Sequence, residues 1–383
     1  MLLSLEVGLT VVLLISSGLL LKRYRLLRSS NLGCITDNVL TMNFSLPESQ
    51  YSRPAQRVEF FERLLSRVRN IPGVQAAGFG AAVPGQGYYS DSGFLVAGHP
   101  PLPVGQSQSA LFRTADPGYF AALGIPFLRG ETFAASERLD RAMKVIVNDS
   151  LARQYFPGEN PVGMHLLARG EKPYEIVGVV SDTRYLINKA ALPTMYFPLY
   201  DGTENDGTLA VRSTADVSQF ALPIQKIVQE LDHDLAVSDV LTMDQLIGKS
   251  TVDASFDATL LLAFAVLSLI LAAVGLFGVL SYIVAQRTTE IGIRVALGAQ
   301  RENVLRFVLV DGLRPALLGL ALGIAGSIGA SQLIRSMLYG TRPLDPSVFL
   351  GVAAILLCVA CAACLIPAWR ASRLDPMTAL RAE

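Results

Sequence analysis

The amino-acid sequence predicts a membrane α-helical protein with four transmembrane helices and an α+β extracytoplasmic domain inserted between helices 1 and 2. Three observations lead there. Of 383 residues, 51% are hydrophobic and 17% charged, and the mean hydropathy is +0.42, which puts apolar content at the top of the soluble range and charge below it. Thr259 to Val284, Pro315 to Ile334 and Ser347 to Trp369 each supply the roughly 20 uncharged apolar residues that cross a bilayer. A long polar block separates these from an apolar start. Lys plus Arg equals Asp plus Glu at 32 each and the pI is near 6.8, so the charge gives no reason to expect nucleic acid as a partner.

The first span is expected over residues 1–21, where Glu6 is the one charge before the basic cluster Lys22, Arg23, Arg25 and Arg28. A secretory signal competes for this stretch, but no basic residue precedes the apolar run and no small-residue cleavage site follows it. Glu6, near the inner end, is either an intramembrane functional acid or a side chain that snorkels to the interface.

The polar block, residues 29–252, has the texture of an extracytoplasmic core domain. "PAQRVEFFERLLSRVRNIPGV" begins with Pro54, repeats apolar residues at Val58, Phe61, Leu64, Leu65 and Val68, and stops at Pro72-Gly73, as a helix does. "NVLTMNFSL" and "VQAAGFG" flank it as strands. The order recurs in "GTLAVRS", the helix-like "FALPIQKIVQELD" and "LAVSDV", so two β-α-β units far apart in sequence suggest one α+β domain interrupted by a mostly β insertion at about 83–200. In that insertion, "MKVIVN", "YEIVGVVSD" and "PTMYFPLY" read as strands, and "NDSLARQYF" as a helix capped by Asn148 or Asp149.

Three further spans are expected at 259–284, 315–334 and 347–369, followed by a tail, 370–383, in which Asp375-Pro376 starts a short helix. Four spans put both chain ends and the loop between spans two and three on one side. Arg287, Arg294, Arg301, Arg306 and Arg314 of that loop, with Arg370, Arg373 and Arg381 of the tail, mark it as cytoplasmic. The polar block is therefore outside. The basic cluster after span one opposes this, but long translocated domains override flanking charge. The uncharged start has a second explanation: Met1 as an internal or truncated start with more protein upstream.

Between two apolar runs stands "RTTEIGIRVALGAQRENVLRFVL", residues 287–309. Glu290 and Arg294 are spaced i to i+4 in the favoured order, Ile291 and Val295 line one strip, Ile293 and Leu297 another, and Gly298 is placed to end the helix. A second helix then begins near Gln300 and leads into span three. Pattern alone leaves two uses open: a lever that receives force from a cytoplasmic partner, or an amphipathic anchor for the loop.

Other chemistry is weakly signalled. "GKST" at 248–251 looks like the end of a phosphate-binding loop, but Met243 stands where such a loop needs glycine. Cys358, Cys361 and Cys364 lie inside the last span, where ionised thiolates are costly and small residues favour close packing; with Cys34 alone, no disulfide framework is implied. His99, His165 and His233 are far apart without a second ligand at metal spacing, and no nucleophile-elbow pattern assembles the Ser, His and Asp residues of the block.

The stretch 287–309 and the ending "IPAWRASRLDPMTALRAE" resemble permease subunits of the MacB/FtsX type of ABC transporter. "DPGYFAALGIPFLRGETF", "VIVNDSLARQYFPGENPVGMHL" and "YEIVGVVSDTR" resemble their periplasmic core domain, particularly in an acidobacterial-type group whose chains carry two such halves, this one being a C-terminal half. The resemblance covers nearly the whole chain. It implies a multi-pass protein of the bacterial inner membrane whose coupling helix and lead-in, 287–309, dock on a separate ATPase through Glu290, Ile291, Gly292, Arg294, Leu297, Gly298 and Ala299. ATP hydrolysis then moves the spans and the periplasmic domain, a process called mechanotransmission, for export or extraction of amphipathic cargo such as antibiotics, peptides, lipids or lipoproteins. The implied partners are an ABC ATPase subunit, a second permease half or homodimer, the lipid bilayer and a periplasmic adaptor. No catalytic residue, metal or cofactor is implied. One departure is plain: MacB carries an ATPase domain on the same chain, and nothing precedes the first span here. Two rivals remain: a signalling or scaffold protein that activates a periplasmic enzyme or sensor without moving cargo, and a membrane-anchored binding domain with no ATPase.

Overall fold

A computed structural model describes residues 2–98, 107–134, 143–170, 172–201, 205–286, 301–333 and 344–371. The chain divides into two compact units, one of Arg28–Ser250 and one of Met1–Leu27 with Thr251–Glu383.

In the first unit, β1 (Val39–Ser45), α2 (Pro54–Arg69) and β2 (Val74–Gly80) form one half of a split β-α-β arrangement. β10 (Asp206–Ser213), α5 (Ala221–Leu231) and β11 (Val237–Thr242) form the other. The strands lie in the order β11-β1-β10-β2, with β10 antiparallel to both β1 and β2. The two halves therefore interleave, and neither stands alone as a unit. α2 starts on Pro54, whose missing N–H costs nothing there, and Gln56 accepts the Arg53 amide at 3.1 Å. It ends at Arg69, short of Pro72-Gly73, because Asn70 already caps it. Its apolar stripe of Phe60, Phe61, Leu64, Leu65 and Val68 packs with Ile224 and Val228 of α5 on Met42, Phe44, Phe79 and Leu209 of the sheet.

Between β2 and β10 run β3 (Asp91–Val96), β4 (Ser109–Ala115), α3 (Pro117–Leu123), β5 (Phe127–Gly130), β6 (Lys144–Asn148), α4 (Asp149–Tyr155), β7 (His165–Ala168), β8 (Lys172–Val180) and β9 (Thr194–Pro198). β4, β3, β7, β8, β6 and β9 pair in turn, and β9 returns parallel to β4, so the insertion closes into a small barrel. Its interior holds Phe94, Val145, Val147, Leu166, Tyr174, Ile176, Met195 and Phe197. One residue pair, Gly80 with Ala115, joins barrel to open sheet.

The second unit contains α1 (Leu2–Arg28), α7 (Val252–Gln286), α8 (Arg301–Leu333) and α9 (Pro346–Ala371). Among the described residues these four helices are long and apolar enough to cross a membrane. Each outruns the span expected from hydropathy: α1 continues through Lys22 to Arg28 and α7 begins at Val252. Charge ends an apolar run, but the backbone hydrogen-bond ladder goes on into the polar layer. The tail beyond Ala371 lies outside the described residues.

Candidate functional site

The coupling residues expected from sequence, Glu290, Ile291, Gly292, Arg294, Leu297, Gly298 and Ala299, lie outside the described residues. Their borders are described. α7 runs to Gln286, and α8 starts at Arg301 and continues through Pro315 to Leu333 without a break. Residue 301 and the apolar part of α8 thus belong to one helix.

α1 ties the bundle together. The backbone of α8 is bared by Gly319 and Gly323: a Cβ on Gly319 would fall 2.6 Å from Val7 Cβ, and one on Gly323 2.5 Å from Val11 Cβ and 2.7 Å from the Gly8 carbonyl. This is the small-xxx-small device that lets helix backbones meet in lipid. On the other side, the Thr10 and Ser268 hydroxyls hydrogen-bond at 2.7 Å, linking α1 to α7. Farther along, Lys22 pairs with Asp345 just before α9. Glu6 rests its carboxylate against Gly275 of α7.

In the other unit the sequence "DPGYF" forms a joint. Asp116 accepts the Phe79 amide at 2.7 Å and the Gly118 amide at 3.1 Å, and pairs with Arg69 at the end of α2. Burial pushes its carboxyl above the usual range, against the pull of Arg69 and the two amides. β2 and α3 come so close that a Cβ on Gly78 would lie 2.0 Å from the Tyr119 nitrogen. Tyr119 donates to the Ala82 carbonyl at 2.8 Å and meets Tyr185 at 2.9 Å; Tyr185 donates to Tyr196 at 3.3 Å, and Tyr196 meets Thr183 at 3.0 Å. Burial raises all three phenols well above their ordinary value. Arg113, 1% exposed, lies 4.3 Å from the Tyr185 ring centroid and donates to the carbonyls of Tyr88 and Phe112. Beside the joint is a cleft of about 490 Å³ walled by Leu65, Arg69, Asp116, Phe133 and Leu199. Sequence reasoning passed over Asp116, Tyr119, Tyr185 and Arg113 as individuals, since no periodic pattern marks a residue whose partners are remote.

The weaker motifs are dispersed. "GKS" closes helix α6 (Met243–Ser250), and Lys249 binds Asp239 at 2.6 Å, which leaves no loop to cradle phosphate. Cys364 turns inward while Cys358 and Cys361 are exposed. Cys34, in the other unit, has its thiol pushed up to about 12 by burial. His165 and His233 are exposed, and His99 lies outside the described residues. Asn148, rather than Asp149, caps α4, accepting the Leu151 amide at 3.1 Å, and Asp182 receives Asn148, Ser150 and Arg153.

Comparison with known proteins gives two family matches: a MacB-like periplasmic core domain over residues 7–227 and an FtsX-like permease C-terminal region over 262–376. The chain is 29% identical over 276 residues to the macrolide export ATP-binding/permease protein MacB of Acinetobacter baylyi, covering 69% of this chain and 41% of that protein. It is 30% identical over 278 residues to that of Salmonella typhimurium, covering 69% and 42%. The chain thus spans about two fifths of the length of these relatives. The crystal structure of the periplasmic region of MacB from Actinobacillus actinomycetemcomitans matches 59% of this chain and 97% of that one, with 16% identity and a TM-score of 0.39.

Proposed function

This chain belongs to the MacB/FtsX family of ABC transporter permeases, a multi-pass inner-membrane protein with a periplasmic domain, and from that premise we propose that it couples ATP hydrolysis by a partner ATPase to motion of that domain. The work enters through residues 287–300, with Glu290, Ile291, Gly292, Arg294, Leu297, Gly298 and Ala299 as the docking surface. One observation carries this: the FtsX-like match runs across that stretch, and α8 leaves it as continuous helix from Arg301. The movement serves export or extraction of amphipathic cargo, since the relatives are named for macrolide export. The hydrolysing site belongs to the ATPase, and a second permease half or copy completes the assembly.

The test is co-purification of the full chain with its ATPase. The double variant Glu290→Ala/Arg294→Ala is expected to weaken association by about tenfold or more, as for the loss of a desolvated charge pair. An intact complex with unchanged cargo-stimulated ATP turnover would overturn the assignment. A complex that forms normally and hydrolyses ATP, yet activates a periplasmic enzyme and moves nothing, would replace export with signalling.

A further inference from the structure

We propose that Glu6, in the seam between α1 and α7, binds the cationic head of a single-chain amphiphile entering sideways from the membrane. The proposal rests on the export reading above and names a chemical class within it.

The carboxylate is deeper than its place near the start of the first apolar run suggests. A Cβ built on Gly275 would lie 3.2 Å from Leu3 Cδ1, 3.3 Å from Glu6 Oε2 and 3.8 Å from Oε1, so Leu3 and the acid together occupy the notch that this glycine leaves in α7. Gly275 stands about 16 Å along α7 from Gln286, at about 1.5 Å per residue. Gly319, which abuts Val7 and the Ser4 carbonyl, stands about 8 Å along α8 from Arg314 by the same measure. Both rulers put Glu6 well inside the apolar layer.

No hydrogen bond or ion pair to this carboxylate occurs among the described residues, whereas Thr10 one turn away is joined to Ser268. The notch is flanked on α1 by Leu5 and Leu9, 70% and 60% exposed, and on α7 by Leu271 and Val274, each 62% exposed. A half-buried acid beside exposed leucines on the outside of a helix pair is complementary to one kind of molecule. Its apolar tail lies on the leucines and its head brings the positive charge that an ionised carboxylate needs in hydrocarbon. An ammonium supplies that charge together with three hydrogen-bond donors. A neutral or anionic amphiphile of the same length offers the tail contact alone.

The test uses the full chain in nanodiscs of zwitterionic lipid, without ATPase. Binding of a pyrene-tailed alkylammonium is compared with that of the matching alcohol after subtraction of empty discs. Wild-type protein is expected to prefer the ammonium by about tenfold, and Glu6→Gln to bring the two probes within about twofold. Glu6→Asp should keep part of the preference, and Gly275→Leu, which would push Leu3 and the acid away from α7, should weaken both probes. Elution volume and helix content establish that each variant is folded, and the charge preference is a ratio that a merely structural role would not move. Equal binding of the two probes to wild type overturns the proposal, as does a preference that survives in folded Glu6→Gln. If that variant does not fold, the Asp and Gly275 variants decide in the same way. Because no ATPase is present, failure here leaves the coupling proposal standing, and failure of docking at Glu290 and Arg294 leaves this site standing.

Discussion

In the periplasmic unit many large side chains are fully buried, Arg113, Tyr119, Tyr174, Tyr185, Tyr196, Phe61 and Phe79 among them. In the membrane unit Ala265, Ala272, Ala316 and Ala360 are buried, while Phe264, Leu267, Ile270 and Leu271 face outward. Aromatic side chains go inward in the first unit, whereas the second leaves many large apolar ones outward and buries alanines beside the Val, Ile and Leu of α1, because the surroundings differ. Water drives large apolar groups inward and rewards the area they cover. Lipid gives no such gain, so helices meet where small residues allow their backbones to approach, and a few polar links add register. One unit is held by aromatic and aliphatic side chains that fill its core, and the other by small residues that let helices approach around the buried Val, Ile and Leu of α1.

The sharpest way to break this comparison is to enlarge a small residue in the bundle. Gly323→Leu sets new atoms against Val11 and the Gly8 carbonyl and is expected to cost about 3 kcal/mol or more. It would be read as lost monodispersity and a lowered midpoint of thermal unfolding in detergent. Leu267→Ala, a reduction at an outward position, should stay within about 0.5 kcal/mol. If the two changes cost the same, the glycine seam is not what holds the bundle.

The next effect belongs to the other unit. Tyr185→Phe removes the hydroxyl between Tyr119 and Tyr196 and should cost about 1–3 kcal/mol. It should also change the response to alkali. The three phenols have folded pKa values raised by burial, while an unfolded tyrosine ionises near about 10. Above that pH the unfolded chain releases protons that the folded domain keeps. The contribution is therefore full below about pH 10 and is lost as pH rises beyond it, by about 1.4 kcal/mol per pH unit for each phenol. Removing one phenol should flatten that slope by one proton, measured as denaturant midpoint against pH.

Much of the fold could be read from the chain, and the reasons differ by element. α2 announces itself by a helical period and β8 in part by alternation, whereas β6 shows as a short apolar run and the spans by length and hydropathy. β5 hides because it is four residues long and mostly exposed, and β4 because Arg113 stands in it where a core residue is expected. Closure of the barrel depends on β9 lying parallel to β4 across a long separation, which no local pattern encodes. The coupling stretch reads by pattern as a helix with a glycine stop and lies outside the described residues, and its partner is implied only through family resemblance. Gly319 and Gly323 carry the spacing of close helix contact, yet the helix they meet is a tertiary fact. The packing of Glu6 against Gly275 is another, since no local pattern announces it.

The smallest predicted effect probes the hydroxyl–hydroxyl link between Thr10 of α1 and Ser268 of α7. Thr10 is fully buried, and its hydroxyl both returns to the Glu6 carbonyl at 2.9 Å and meets Ser268 at 2.7 Å. In water such a link would compete with solvent, and in lipid the separated helices find other partners, so the coupling is modest in either case. A double-mutant cycle with Thr10→Ala and Ser268→Ala should give about 0.6 kcal/mol. Because Thr10 keeps its bond to its own helix when Ser268 is removed, the two single changes should be unequal, with Thr10→Ala the costlier. A coupling of several kcal/mol would mean that polar links, and not the glycine seam, set the helix positions.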